Sequence, residues 1–301
     1  MLHAIQNPFS LENQDAYLRW RDSKLAAYPE TIESLLVEVS DPAALLDSEK
    51  QALVECCRKT NMAVYVTARG VDQKETPRSI GASLGLQRLD PNMLADDDGI
   101  TSLTVVPGKL KRGYIPYSDK RMLWHTDGYY NTPEHCIRAL LLHSVRPALQ
   151  DGENALLDHE IVYLYMRDQY PEYVAAMMAP DAMTIPANGE DTVIDRPART
   201  GPVFSVDTNT GALHMRYTAR TRSIIWKDNA ETKAAAAWLE TFMNGDSPYI
   251  FRHKLTAGQG LLCNNVLHSR TAFVEGEAPE SQRLLYRARY YDRINGTGLI
   301  K

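Results

Sequence analysis

Residues 282–292 read QRLLYRARYYD. In an extended strand successive side chains point to opposite faces. Arg283, Leu285, Arg287 and Arg289 therefore share one face, and Leu284, Tyr286, Ala288 and Tyr290 the other. Two readings are open: the arginine face is in solvent, or it enters a β-barrel interior. Inside a barrel the guanidinium groups are costly unless an anion neutralises them. A bidentate pair with a carboxylate is the natural solution.

The surrounding texture favours β-structure. From residue 100 onward the chain is a series of short apolar or alternating runs, among them ITSLTVV, RALLLHSV, MTIPA, PVFSV, ALHMRYTA, YIFRHKL and GLLCNNVLHS. Turn-rich pieces such as TNTGA, TAGQG and EGEAPES separate them, as a sandwich or barrel requires. Two helices interrupt the series: DHEIVYLYMRDQYPEY, opened by Asp158, and DNAETKAAAAWLETFMNG, closed by Gly245.

The N-terminal third, residues 1–99, reads as mixed α/β. DSEKQALVECCRK carries Ser48 as N-cap with Gln51 three residues on. In TPRSIGASLG, Thr76 caps, Pro77 suits the first turn and Gly85 closes. MAVYVT between them is a strand. With 301 residues and 44% hydrophobic content, a single domain with a substantial core is expected.

Bulk properties exclude several functions. A net charge of −5 without a long basic run argues against nucleic acid and anionic membranes as partners. No apolar run approaches the roughly 20 residues of a membrane span, and the N-terminus lacks a signal pattern. A soluble, cytoplasmic protein is expected. Cys56, Cys57, Cys136 and Cys263 have no CxxC spacing and form neither a zinc ribbon nor a disulfide framework; Cys56 and Cys57 are expected as buried thiols on a helix. The acidic triplet Asp96, Asp97, Asp98 reads as a solvated loop.

Chemistry concentrates at WHTDGYYN, residues 124–131. On a strand, His125 and Asp127 project side by side. A His-x-Asp pair alone is commonplace and carries nothing without a third ligand, for which His268 in GLLCNNVLHSRTAF is the candidate. Two histidines and one carboxylate on one face leave adjacent positions open, the facial triad of non-haem Fe(II) oxygenases. Zinc with the same ligands would point to a hydrolase on a cupin-like barrel, and a non-catalytic sensor binding the same ligands is also compatible.

The combination of His-x-Asp, a distant strand histidine and an arginine 15 positions on (283 − 268) resembles the Fe(II)/2-oxoglutarate-dependent dioxygenases of the taurine dioxygenase (TauD/TfdA) and γ-butyrobetaine hydroxylase superfamily. The matching stretches are IPYSDKRMLWHTDGYY, DGENALLD, LHMRYTARTRSIIW, LLCNNVLHSR and QRLLYRARYY. The resemblance implies a mainly β fold with α decoration and a double-stranded β-helix (jelly-roll, cupin-like) core over residues 100–293 with helical insertions, in one dioxygenase domain, 1–301. It implies His125, Asp127 and His268 as Fe(II) ligands and Arg283 as partner of the distal carboxylate of 2-oxoglutarate. Asn154, in DGEN, stands where the family often has a supporting Thr, and Asp151 replaces the first Gly of that segment. Arg287 matches the substrate-binding arginine of taurine enzymes or else serves the co-substrate. The implied reaction uses O2 to hydroxylate a C–H of a small polar or zwitterionic metabolite, releasing succinate and CO2. A homo-oligomer is a family habit.

Substrate contacts are read at Trp124, Tyr129, Tyr130, His214 and Arg216. Tyr114, Tyr117, Tyr217 and Trp226 are further aromatics near the motifs, and Arg220 and Arg222 further cations. His135, His143, His159 and His253 read as structural.

Overall fold

A computed structural model describes residues 7–91, 96, 98–105, 115–187, 196–221 and 224–299. Its strands are β1 (Leu36–Glu38), β2 (Met62–Val66), β3 (Thr101–Leu103), β4 (Met122–His125), β5 (Ala139–Arg146), β6 (Gln150–Asp151), β7 (Asn154–Leu157), β8 (Met183–Ile185) and β9 (Arg199–Gly201). There follow β10 (Phe204–Val206), β11 (Leu213–Met215), β12 (Ile225–Trp226), β13 (Ile250–His253), β14 (Gln259–Cys263), β15 (Leu267–Arg270), β16 (Phe273–Val274) and β17 (Leu284–Tyr290). The helices are α1 (Gln14–Leu25), α2 (Asp47–Thr60), α3 (Glu75–Ser83), α4 (His159–Gln169), α5 (Pro171–Met178) and α6 (Ala230–Asn244). The molecule is thus mixed α/β and rich in strands.

A six-stranded sheet runs β1-β2-β14-β5-β17-β3 and a four-stranded sheet β13-β7-β15-β4. Strands from the first hundred residues join the larger sheet directly: β2 pairs antiparallel with β14, and β1 parallel with β2. The strand β5, ALLLHSVR, shows why the middle of the larger sheet carries apolar residues on both faces. Leu140 and Leu142 enter a core shared with Leu156, Leu157 and Leu267 of the smaller sheet. Ala139 and Leu141 face a second core with Leu53 and Cys57 of α2 and Ile80 of α3. A sheet covered on both sides buries both residue sets, at about 1.5–3 kcal/mol for each large side chain. β17 alternates as expected, with Leu285 in the first core and Ala288 and Tyr290 in the second.

Helix ends differ in detail from expectation. The α2 start uses neither Ser48 nor Gln51: Glu49 reaches back to accept the Leu46 N–H at 2.8 Å, while also taking the Ser40 N–H and hydroxyl. α3 begins after Lys74, and the Thr76 hydroxyl donates to the Gly70 carbonyl. The helix expected from Asp158 is two helices, broken at Tyr170 because Pro171 starts the second. Asp158 does cap α4, accepting from the Glu160 N–H at 2.9 Å.

Asp96 and Asp98 are not merely solvated: both clasp Lys74, at 2.7 and 2.9 Å; Asp97 lies outside the described residues. Cys57 is buried and Cys56 half-buried on α2, and burial raises both thiol pKa values. Among the described residues no helix is long and apolar enough to cross a membrane.

Candidate active site

β4 and β15 are neighbours in the smaller sheet, and His125 and His268 are direct cross-strand partners with ring centroids 4.2 Å apart. Each Nδ1 lies within hydrogen-bonding distance of the carbonyl two residues back, Leu123 at 2.8 Å and Val266 at 2.9 Å. That bond holds the proton on Nδ1 and leaves Nε2 as the free donor of an electron pair. Burial, reinforced by His125, pushes the His268 pKa down to about 4, so this imidazole is neutral near pH 7.

Asp127 is not on the strand with His125, as its spacing suggested. β4 stops at His125, and Asp127 stands on the turn that follows. Gly128 makes the turn at φ +67°, where an added Cβ would lie 2.4 Å from Ile137. Asn265 then fixes Asp127 by a reciprocal pair: its Oδ1 accepts the Asp127 N–H at 2.8 Å, and its Nδ2 donates to the Asp127 carbonyl at 3.0 Å. Asn265 itself sits at φ +51°, a conformation asparagine tolerates better than most residues. The result places Asp127 Oδ1 3.6 Å from His125 Nε2 and 3.9 Å from His268 Nε2. One ligand atom from each of the three residues lies within 4.8 Å of the others.

The triad's charge is set by β17. Burial alone would raise the Asp127 pKa, but Arg287, the His125 side chain and Arg289 hold it well below the usual carboxylate range. Arg287 Nη1 is 3.3 Å from Asp127 Oδ2, yet Oδ2 makes no hydrogen bond among the described residues. A buried carboxylate oxygen without a hydrogen bond beside two free Nε2 lone pairs is a donor set that fits a divalent transition metal.

Arg287 and Arg289 of this strand, and Arg283 just ahead of it, have separate surroundings. Arg289 forms a buried ion pair with Asp90 and donates to the Tyr130 hydroxyl at 3.1 Å; Tyr291 donates to Asp90 at 2.7 Å. Arg283 stacks over Phe273, whose ring also carries Arg270. Burial and the Arg270 charge lower the Arg283 pKa to about 9, and no carboxylate among the described residues is within ion-pair distance of it. Arg283 and Asn154 line one narrow cavity, together with Gly152, Leu255 and Leu285. Asp151 takes φ +56° there and Gly152 φ +77°, so the Asp that replaces a glycine keeps a glycine-like backbone.

The residues expected to touch substrate divide. Tyr129 and Tyr130 pack edge to face directly after Asp127, whereas Trp124 is buried in the core. His214 and Arg216 are not brought to bonding distance of the triad. His214 is half-buried beside His159, Arg138 and Arg293, and desolvation pushes its pKa down to about 3. Arg216 donates to the carbonyls of Pro202, Tyr129, Arg199, Met183 and Gly201. It ties β8, β9 and the turn at Tyr129 together, so backbone carbonyls take the guanidinium that was expected to meet substrate. Tyr114 and Arg222 lie outside the described residues. His135, His143, His159 and His253 each hydrogen-bond within the protein.

Sequence reasoning passed over Asn265 and Asp90. The Asn264-Asn265 pair before a strand was the available signal, since asparagine suits left-handed turns; nothing local marked Asp90.

Residues 24–289 match the family described as Taurine catabolism dioxygenase TauD, TfdA family. The chain belongs to this family. It is therefore a dioxygenase, an oxidoreductase. Solved structures share the fold of this TauD/TfdA family member at low identity. An asparagine oxygenase in complex with Fe(II), 2S,3S-3-hydroxyasparagine and succinate is 13% identical, with TM-score 0.59 over 85% of this chain and 93% of that one. The non-heme iron oxygenase OrfP in complex with Fe and alpha-ketoglutaric acid is 17% identical, with TM-score 0.59 over 91% and 90%. A putative alpha-ketoglutarate-dependent taurine dioxygenase from Burkholderia xenovorans is 15% identical, with TM-score 0.57 over 85% and 86%. No curated protein sequence matches the chain significantly.

Proposed function

We propose that this dioxygenase hydroxylates an aliphatic C–H of a small zwitterionic, amino-acid-like metabolite. It is an Fe(II)- and 2-oxoglutarate-dependent enzyme that consumes O2 and releases succinate and CO2. His125, Asp127 and His268 hold the iron. When bound, the iron supplies O2 activation coupled to oxidative decarboxylation of the keto acid. Every other task falls to side chains.

Arg283 pairs with the distal carboxylate of 2-oxoglutarate, and Asn154 donates to the same group through its amide. A buried, stacked guanidinium with no carboxylate partner among the described residues supports this role. Arg287 takes the anionic end of the substrate while keeping Asp127 ionised. Tyr129 and Tyr130 wall the site, and Arg289 fixes the Tyr130 hydroxyl through a charge already neutralised by Asp90. The apolar core around these groups excludes water, which strengthens each charge contact. In this reading the two sheets form a double-stranded β-helix, and residues 1–301 act as one unit.

The observation that carries the reading is the convergence of the three ligand atoms within 4.8 Å, two from the β4–β15 pair and one from the turn after β4, beside the arginines of β17. Support for the substrate class comes from solved relatives that hold hydroxyasparagine and (3S)-hydroxy-L-Arg. The test is a screen of amino acids and related zwitterions for succinate release dependent on Fe(II), O2 and 2-oxoglutarate, with mass spectrometry of the products. A product heavier by one oxygen is expected; 2-oxoglutarate turnover that no zwitterion stimulates refutes the substrate class.

A further inference from the structure

The short strand β3 treats its two hydroxyls differently. Ser102 turns to one side and donates to Asp96 Oδ2 at 2.7 Å. Thr101 turns to the other, is 1% exposed, and its Oγ1 has no hydrogen-bond partner among the described residues. Its position explains what that hydroxyl is for. Thr101 is the in-register antiparallel partner of Arg287, as Leu103 is of Leu285. Side chains so paired share a face, with Cβ atoms about 5 Å apart. Arg287 is itself 9% exposed, and its Nε also lacks a hydrogen-bond partner among the described residues.

We propose that the Thr101 hydroxyl is a specificity-determining contact that donates to the anionic group of the substrate bound by Arg287. This rests on the substrate reading above. A buried unpaired hydroxyl is destabilising, and valine would fill the same strand position without that penalty. A guanidinium edge and a hydroxyl side by side complement a carboxylate or sulfonate, which accepts from both; an ammonium would be repelled by Arg287. The occupant is not the distal carboxylate of 2-oxoglutarate. Arg283 lies four residues before Arg287, just ahead of β17 and beyond the irregular pairing at Leu284 and Leu285, up to about 13 Å away for an extended chain.

The test compares wild type, Thr101→Val and Thr101→Ser, loaded anaerobically with Fe(II) and 2-oxoglutarate. Calorimetry measures the affinity of the twenty proteinogenic L-amino acids and taurine. For a compound that binds wild type, Thr101→Val is expected to weaken binding by about 10- to 100-fold, the worth of one hydrogen bond to a charged group. Thr101→Ser retains most of the affinity. In Thr101→Val the 2-oxoglutarate affinity stays within about twofold, and the ligand-free melting temperature is equal or higher, because an unpaired hydroxyl has gone. Undiminished binding of that compound by Thr101→Val overturns the proposal. So does a lowered ligand-free melting temperature, which marks a structural hydroxyl, or weakened 2-oxoglutarate binding, which makes the co-substrate the occupant. If no compound binds wild type while 2-oxoglutarate does, this contact and the zwitterion reading fall together and the dioxygenase assignment stands. Failure to bind 2-oxoglutarate removes the proposed function itself.

Discussion

Arg287 Nη1 lies 3.3 Å from Asp127 Oδ2, and both side chains are buried. Each charge is the other's compensation in a medium that penalises both. Asp127→Asn is therefore expected to lose metal binding and also to destabilise the apoprotein by about 3–5 kcal/mol, the usual result of stranding one member of a buried pair. Asp127→Asn with Arg287→Met should recover much of the stability and none of the metal binding. Urea unfolding of the four species reads the coupling; additive effects of the two substitutions contradict the pairing.

Asn265 grips the backbone of Asp127 from both sides and also donates to the Ile137 carbonyl at 2.7 Å. Asn265→Ala leaves the side chains of His125, Asp127 and His268 untouched but frees the turn that aims one of them. Metal affinity is expected to drop about 10- to 100-fold, as for other residues that orient ligands. Anaerobic Fe(II) titration monitored by calorimetry checks this, and an unchanged affinity rules out the positioning role.

Arg283 and Asn154 line the same cavity. Arg283→Gln is expected to weaken 2-oxoglutarate binding by at least about 100-fold and Asn154→Ala by about 5- to 10-fold, given the energies of charged and neutral hydrogen bonds. Fe(II) affinity should be the same in both variants. Equilibrium binding of 2-oxoglutarate separates them; equal losses, or none, contradict the division of labour.

A second buried ionic cluster gives a pH dependence. Lys24 Nζ is 2.6 Å from both Asp158 and Glu160, docking α1 onto the start of α4. For Glu160 burial works to raise the pKa, but Lys24, with His159 and Arg293, outweighs it and brings it down from 4.5 to about 2. A depressed carboxylate pKa contributes stability that is present above pH ~4.5 and lost as pH falls towards 2, on the order of 3 kcal/mol. The stability gap between wild type and Glu160→Gln should be flat from about pH 5 to 8 and narrow below pH ~4.5. Urea midpoints at pH 7, 5, 4 and 3.5 measure it, and a gap that widens on acidification has the wrong sign.

The features legible in the sequence were those with a local period. The alternation of β17 puts Arg287 and Arg289 on one face, with Arg283 just ahead of the strand beyond an irregular pairing at Leu284 and Leu285, and the apolar run ending at His268 marks a strand. What escaped depended on contacts between distant segments. Asn265 reaches across 138 positions to Asp127, and Arg289 finds Asp90 across 199; no pattern within a short window encodes either. Asp127 itself was assigned to the strand because two-residue spacing fits one, whereas Gly128 bends the chain there and the Asn265 clasp holds it. Arg216 and His214 alternate like site residues, yet carbonyls of other segments take the Arg216 guanidinium, and His214 stands among His159, Arg138 and Arg293 instead. The α2 cap went to Glu49 rather than Ser48 because a carboxylate satisfies Ser40 and Leu46 at once.

The most direct measurement is an anomalous difference map at the iron edge from crystals grown anaerobically with Fe(II) and 2-oxoglutarate. One peak bounded by His125 Nε2, a carboxylate oxygen of Asp127 and His268 Nε2, with keto-acid density running from it to Arg283, is the expected result. A peak elsewhere, or none between these three atoms, contradicts the assignment of the site.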